Sequence, residues 1–311
     1  MVTTTGETRP TRAPRSASTS DKVFAVVNGL FIAVVVVLVG YPLVYVLSAS
    51  ISDPDAVSSG KMWLWPVDIT FRGFSVVLDN SAIWRGYLNT IVYTVVGVAL
   101  HLAVLLPAAY ALSRKDLPGR RLISLLILFT MLFNGGLIPT YLVVKNLGML
   151  DTLWAIVLPN LVNAWSILVA RAFFASAVPE ALVESARMDG ASDIRIFFRI
   201  ALPLSAPIIA VMALLHGVSL WNEYFRALIY LSDPDKYPLQ LILRQILVVN
   251  QAREIGQGGG AVDNQSLAEQ LKTASLVKYA VMIVASLPLL VIYPFLQRFF
   301  VKGVLVGSVK E

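Results

Sequence analysis

Residues 23–49 read VFAVVNGLFIAVVVVLVGYPLVYVLSA, and this run decides the fold class. It holds no Asp, Glu, Lys or Arg. About 20 apolar residues in a helix cross the hydrocarbon of a bilayer. A lone segment in lipid has to pair its own backbone groups, and only a helix does so. A cleaved signal segment is the competing reading, because basic residues precede the run and Ser48, Ala49 and Ser50 follow it. Its apolar core of about 25 residues exceeds the roughly 7–15 of a signal segment, so an uncleaved first span is expected.

Five further apolar runs follow, at about 86–112, 122–146, 152–174, 204–230 and 275–299, each long enough to span with some tilt. The expectation is therefore an all-α integral membrane protein with six transmembrane helices and the lipid bilayer as solvent. Composition agrees: 57% of the 311 residues are hydrophobic and 14% are charged, against about 25% charged in soluble chains. Pro107, Pro139, Pro159, Pro288 and Pro294 lie inside these runs, where a bundle tolerates them as kinks. The chain has no cysteine, which excludes disulfides, thiolate metal sites and cysteine nucleophiles.

The net charge of +6 does not point to nucleic acid. Fifteen of the 25 basic residues fall in residues 1–22, in the connections after runs 2 and 4 with Arg171 at the edge of run 4, and from Arg298 onward. Six spans place these four segments on one side, so basic residues and parity agree on that side as cytoplasmic, with both termini there. Residues 1–22, rich in Thr, Ser, Pro and Arg, read as a disordered tail, leaving 23–311 as one transmembrane domain. Two outer loops remain, at about 50–85 and 231–274. The first carries Trp63, Trp65 and Phe71, and the second Gly256, Gly258, Gly259 and Gly260. No Gly-Lys-Ser/Thr follows these glycines, so a flexible loop is expected rather than a phosphate cradle.

The most informative connection is 175–203. From Pro179 it reads PEALVESARMDGASDIRIFFRIALP. Pro179 and Glu180 suit a helix start. Gly190 suits a left-handed helix end. Ser192 suits the cap of a second helix, with Asp193 in its first turn, and Pro203 suits its stop. The first helix, expected to expose Glu184, Ala186 and Met188, has no core of its own to bury against. It is suited to docking in another protein's groove.

The pattern Glu184-x-Ala186-x-x-Asp189-Gly190-Ala191, with nine residues between Gly190 and Ile200-x-Leu202-Pro203, resembles the EAA signature of the permease subunits of binding-protein-dependent ABC importers. Ser185 stands where the signature expects a second alanine. Residues 134–141 (NGGLIPTY), 221–224 (WNEY) and the stretch 297–310 are similar to carbohydrate permeases of the maltose type. The resemblance covers about 20–311. It implies a MetI-like permease bundle in the bacterial cytoplasmic membrane, with 175–203 as the segment that couples to an ATPase. Glu184, Ala186, Arg187, Met188, Asp189, Gly190, Ala191, Leu202 and Pro203 would carry that coupling. It implies two copies of a cytoplasmic ATPase, a second homologous permease and an extracytoplasmic solute-binding protein. The chain itself would bind no cofactor and no metal, and would be no enzyme. It has no GxxxxGK[ST] phosphate loop, so ATP would be used by the partner.

Asn134, Asn160, Asn163, Trp165, Trp221, Asn222 and Glu223 are the pathway candidates. Amides and aromatic faces suit a sugar, through paired hydrogen bonds and stacking, and they equally suit interhelical contacts. Neutral residues of this kind agree with an uncharged solute. Glu223 lies about 19 residues into run 5, roughly 28 Å at ~1.5 Å per residue. That is near the outer interface, where a pair with Arg226 three residues on is structural or gate-side. His101 and His216 are expected to form interhelical hydrogen bonds. An ion-coupled secondary transporter is the alternative function. It would need acidic residues at the midplane, and runs 1–4 and 6 hold none at their centres. An intramembrane enzyme would need a paired base and nucleophile or metal ligands at membrane depth.

Overall fold

The computed structural model describes residues 19–255 and 277–288, with residues 290, 291 and 294. Of the tail expected over 1–22, residues 1–18 lie outside that description, as do the glycines at 256–260 and the stretch 297–310; residues 19–22 are not disordered but form the first turn of a helix.

All regular elements among the described residues are helical. Helices α1 (Thr19–Ser50) and α2 (Ser81–Ser113) are uninterrupted. At about 1.5 Å per residue each is roughly 50 Å long, more than the ~30 Å hydrocarbon needs. The next three runs are broken. Run 3 is α3 (Arg120–Leu132) and α4 (Leu137–Asn146), bent by 113°. Its break is Asn134-Gly135-Gly136: Gly136 sits at φ 84° and donates its N–H to Asn134 Oδ1 at 2.9 Å. Run 4 is α5 (Leu153–Val157), a 3₁₀ turn over Leu158–Asn160, and α6 (Ala164–Ala177), bent by 57°. After it come α7 (Glu180–Met188) and α8 (Asp193–Ile196). Helix α8 continues to Leu204, turns by 78°, and gives α9 (Ala206–Trp221). If each bent pair is one span, five crossings are described, and α12 (Val277–Pro288) is the described part of the sixth.

Two further expectations need correction. Run 5 is not one helix to residue 230, because α9 ends at Trp221 and α10 (Phe225–Tyr230) restarts after a three-residue turn. The second outer segment is not plain loop either. It contains α11 (Leu239–Ile255), whose Leu239, Leu241, Ile242 and Leu243 are buried. Apolar side chains spaced for a helix face drive this helix onto the bundle.

Helix α2 is the centre of the bundle and packs against α6, α9 and α11. Gly86 and Gly97 permit the closest approaches. A Cβ at Gly86 would lie 3.1 and 3.2 Å from backbone atoms of Leu239, and one at Gly97 would overlap Leu220 Cδ1. Small residues serve this purpose where helices cross in a membrane. Thr90, fully buried, accepts the otherwise orphaned N–H of Leu239 at 2.9 Å. Thr90→Val should therefore strand that N–H and cost about 1–3 kcal/mol, read as a fall in the melting temperature of the detergent-solubilised protein. An unchanged melting temperature would show that water replaces the hydroxyl. Asp151, at φ 59°, accepts the N–H groups of Ser232 and Asp233 and pairs with Lys236 at 2.9 Å. The Lys236 ammonium holds its carboxyl below the usual range. This contact ties the start of run 4 to the segment after α10.

Helix α1 stands apart. Only Ser48, Ala49 and Ser50 of it are buried, so its apolar length faces lipid or another subunit.

Candidate coupling segment and solute pathway

Helix α7 begins after Pro179, its N-cap, with Glu180 in the first turn. It ends in a Schellman motif: the Gly190 N–H donates to the Arg187 carbonyl at 3.0 Å and the Ala191 N–H to the Ala186 carbonyl at 3.0 Å. Gly190 takes φ 77°, the left-handed conformation this motif requires. Ser192 then caps α8, accepting from the Arg195 N–H. The chain thus makes a tight helix-turn-helix on the side of the bundle where α2 ends.

The segment is not held out free, as the sequence suggested. Val183 and Ala186 are buried in a cluster with Leu105, Leu106, Ala109 and Tyr110 of α2, Phe174 of α6 and Ile208 and Met212 of α9. Ala186 therefore faces the bundle, and its small size lets α7 sit close. The outward face is Glu184, Met188 and Asp189, with Met188 89% exposed. Ile194 and Phe198, after the Gly190 turn, are exposed as well. A short charged and apolar helix face, fixed from behind by a core, can enter a groove without reordering.

The second helix ends at Leu204, one residue past Pro203, where the chain turns by 78° into α9. The chain winds as a π turn over Phe197–Ala201 and continues to Leu204. A proline cannot bond the carbonyl four residues back and crowds it, and a wider turn relieves that clash. Such turns occur at functional sites. Leu202 is packed against the same cluster as Ala186, as is Ala191.

Charges add a second layer. Lys115 Nζ meets Glu180 Oε2 at 2.8 Å, and Arg187 bridges Asp116 at 2.8 Å and Asp193 at 2.9 Å. The Arg187 guanidinium holds the Asp116 carboxyl below its usual range, and hydrogen bonding to Asp193 and Asp116 raises Arg187. A depressed carboxyl pKa means the pair is present above the ordinary carboxylate pKa and lost as pH falls through the lower, folded value. These contacts therefore persist from about pH 5 upward. A cavity of about 530 Å³ lies beside them, bounded by Tyr110, Arg114, Asp116, Arg187 and Phe197. The Lys115 and Asp116 contacts were not legible from the residues alone. Lys115 counted only as a basic-side charge and Asp116 was not singled out, and their partners lie 65 and 71 positions away.

The pathway candidates separate into three places. Asn160, Asn163 and Trp165 are exposed at the break of run 4, where Asn163 Oδ1 caps α6 through the Ser166 N–H at 2.8 Å. Asn134 lies exposed in the separate break of run 3, holding the Gly136 turn. Trp221, Asn222 and Glu223 sit where α9 ends. Trp221 does not present itself to a passage: it is 5% exposed, packs near Tyr87, and donates its indole N–H to the Ala285 carbonyl of α12 at 3.2 Å. Asn222 is exposed and bonds back to the Val218 carbonyl. Glu223 Oε1 accepts the Arg226 N–H at 2.8 Å and its carboxylate pairs with the Arg226 guanidinium, the side chains 14% and 11% exposed. That makes Glu223 a cap for α10. His101, 1% exposed, bonds the Leu161 carbonyl in the break of run 4 at 2.6 Å and stacks on His216 at 4.0 Å.

A helical membrane bundle with broken spans is a build used by solute transporters. Residues 73–306 match the family described as the binding-protein-dependent transport system inner membrane component. The chain belongs to that family, and so is an inner-membrane permease that works with an ATPase and a solute-binding protein. It is 39% identical to Protein LplC of Bacillus subtilis over 94% of this chain and 96% of the relative. It is 40% identical to the polygalacturonan/rhamnogalacturonan transport system permease protein YtcP of the same organism, over 86% of this chain and 92% of the relative. Among solved structures it matches a chain of a bacterial ABC transporter involved in the import of the acidic polysaccharide alginate. That match has a TM-score of 0.80 and 35% identity, and covers 93% of this chain and all of the other. Membership of this family leaves the ion-coupled reading without support.

Proposed function

We propose that this chain forms half of the membrane passage of an ATP-driven importer of oligosaccharides. The observation that carries the reading is α7, fixed to the bundle from behind by Val183 and Ala186 and open in front at Glu184, Met188 and Asp189. Two copies of a cytoplasmic ATPase supply the energy, one of them seated on this face. A second, homologous permease completes the passage. The unpartnered length of α1 gives surface for lipid and for that subunit. The basic residues at the α7 side support a cytoplasmic position for it. ATP-driven closure moves α7, and rocking of the two bundles alternates access to the passage. This chain binds no ATP itself.

An oligosaccharide fits the solute named for YtcP and for the alginate transporter. Galacturonan and alginate are polyanions, which favours uronate oligomers over the uncharged solute that the neutral pathway residues suggested. The test is co-purification in mild detergent from the native membrane, followed by ATP hydrolysis in liposomes with binding protein loaded by uronate or neutral oligomers. Recovery of an ATPase and a second permease, with hydrolysis stimulated by loaded binding protein, supports the reading. Purification of the chain alone, with ion-coupled flux, overturns it. Glu184→Lys, a charge reversal on the open face, should reduce stimulated hydrolysis at least about fivefold while the level of the chain in the membrane is unchanged.

A further inference from the structure

We infer that Lys115 and Asp116 are positioning residues that clamp the coupling helix to span 2, making α2 a direct output of ATPase movement. The inference rests on the coupling role proposed for α7. Helix α7 is joined by the chain itself only to spans 4 and 5. The turn after α2 adds two ion pairs, one at each end of α7: Lys115 to Glu180 and Asp116 to Arg187. Glu180 and Arg187 are seven residues apart, about two helical turns or ~10 Å. Two anchors at that separation fix both the position and the direction of a helix, which one anchor cannot do. Arg187 also holds Asp193, so the helix after the Gly190 turn is tied to the same point.

The turn that supplies the anchors is itself fixed. Arg120 Nε donates to the Leu112 carbonyl at 3.0 Å, closing the end of α2, and Arg114 Nε lies 3.8 Å from Asp116. Beneath the pairs, Tyr110 and Ala109 of α2 lie in the apolar cluster that buries Val183 and Ala186. The cluster holds α7 against the bundle, but apolar contact is non-directional and leaves its rotation and register less sharply defined. The ion pairs remove that freedom. Helix α2 packs on both α6 and α9, so movement received at its end reaches both sides of the passage. The side chains are 42–76% exposed, and exposed pairs are weak stabilisers that salt screens. Their contribution is to geometry.

The test uses the complete importer in liposomes, reading solute taken up per ATP hydrolysed. Lys115→Glu sets like charges against Glu180, and Asp116→Arg does so against Arg187. Each should lower uptake per ATP at least about fivefold, with assembly and ATP hydrolysis retained. The reversed pair Lys115→Glu with Glu180→Lys should restore at least half of the lost ratio, which a general structural defect would not do. Unchanged ratios in the single variants, or no recovery in the reversed pair, would overturn the clamp. If Glu184→Lys and Gly190→Pro also leave transport normal, the coupling role has failed. If they abolish it while Lys115→Glu is silent, only the clamp has.

Discussion

Gly190→Pro abolishes solute uptake while the chain remains inserted in the membrane. At φ 77° Gly190 occupies a conformation closed to proline, whose ring holds φ near −65°. The substitution also removes the N–H that bonds the Arg187 carbonyl. A proline in a conformation it cannot adopt costs about 3 kcal/mol or more, so the correct turn becomes roughly a hundredfold less populated. The turn sets the angle between α7 and α8, and with it the placement of Met188 and Asp189 against the ATPase. Gly190→Ala is the informative companion. No atom lies within 4 Å of where its Cβ would stand, so it meets only the left-handed penalty of about 1–2 kcal/mol and should retain part of the uptake. Uptake in cells is compared with the amount of chain in the membrane fraction. Normal uptake by the proline variant would sink the coupling role of this turn.

The elements legible in the sequence were those set by local chemistry. Residues 23–49 had to be a helix because lipid leaves no other backbone solution. Gly190, Ser192 and Asp193 announced a helix end, a cap and a first turn, and each sits as its side chain requires. Long-range packing was not legible. Ala186 was expected on the outer face because α7 was read as lacking a core. The residues that bury it, Leu105 and Tyr110, lie some 80 positions earlier. Trp221 suited a sugar contact and an interhelical contact equally by its chemistry, and the bond of its indole N–H to the Ala285 carbonyl makes it the second. The break at Asn134-Gly135-Gly136 was visible as a motif, but its 113° bend depends on Gly136 taking a positive φ.

Glu223 has the same ambiguity in sharper form, and the geometry makes it decidable. Its carboxylate both caps α10 and neutralises Arg226 in a site where neither side chain is more than 14% exposed. Removing one member of a buried pair leaves the other charge unpaired, which costs about 3–5 kcal/mol. Arg226 already has Nη1 without a hydrogen-bond partner, so no spare acceptor is at hand. Glu223→Ala should therefore lower the melting temperature of the purified chain sharply and reduce its level in the membrane. Glu223→Gln with Arg226→Gln removes both charges and should recover most of that stability, because the unpaired charge rather than the missing attraction carries the cost. A pair that served the solute would behave differently. The single variant would keep its melting temperature and weaken solute-stimulated hydrolysis, and the neutral double variant would not recover it. The first pattern assigns Glu223 to holding α10 against the end of α9; the second would make the turn at 222–224 part of the passage.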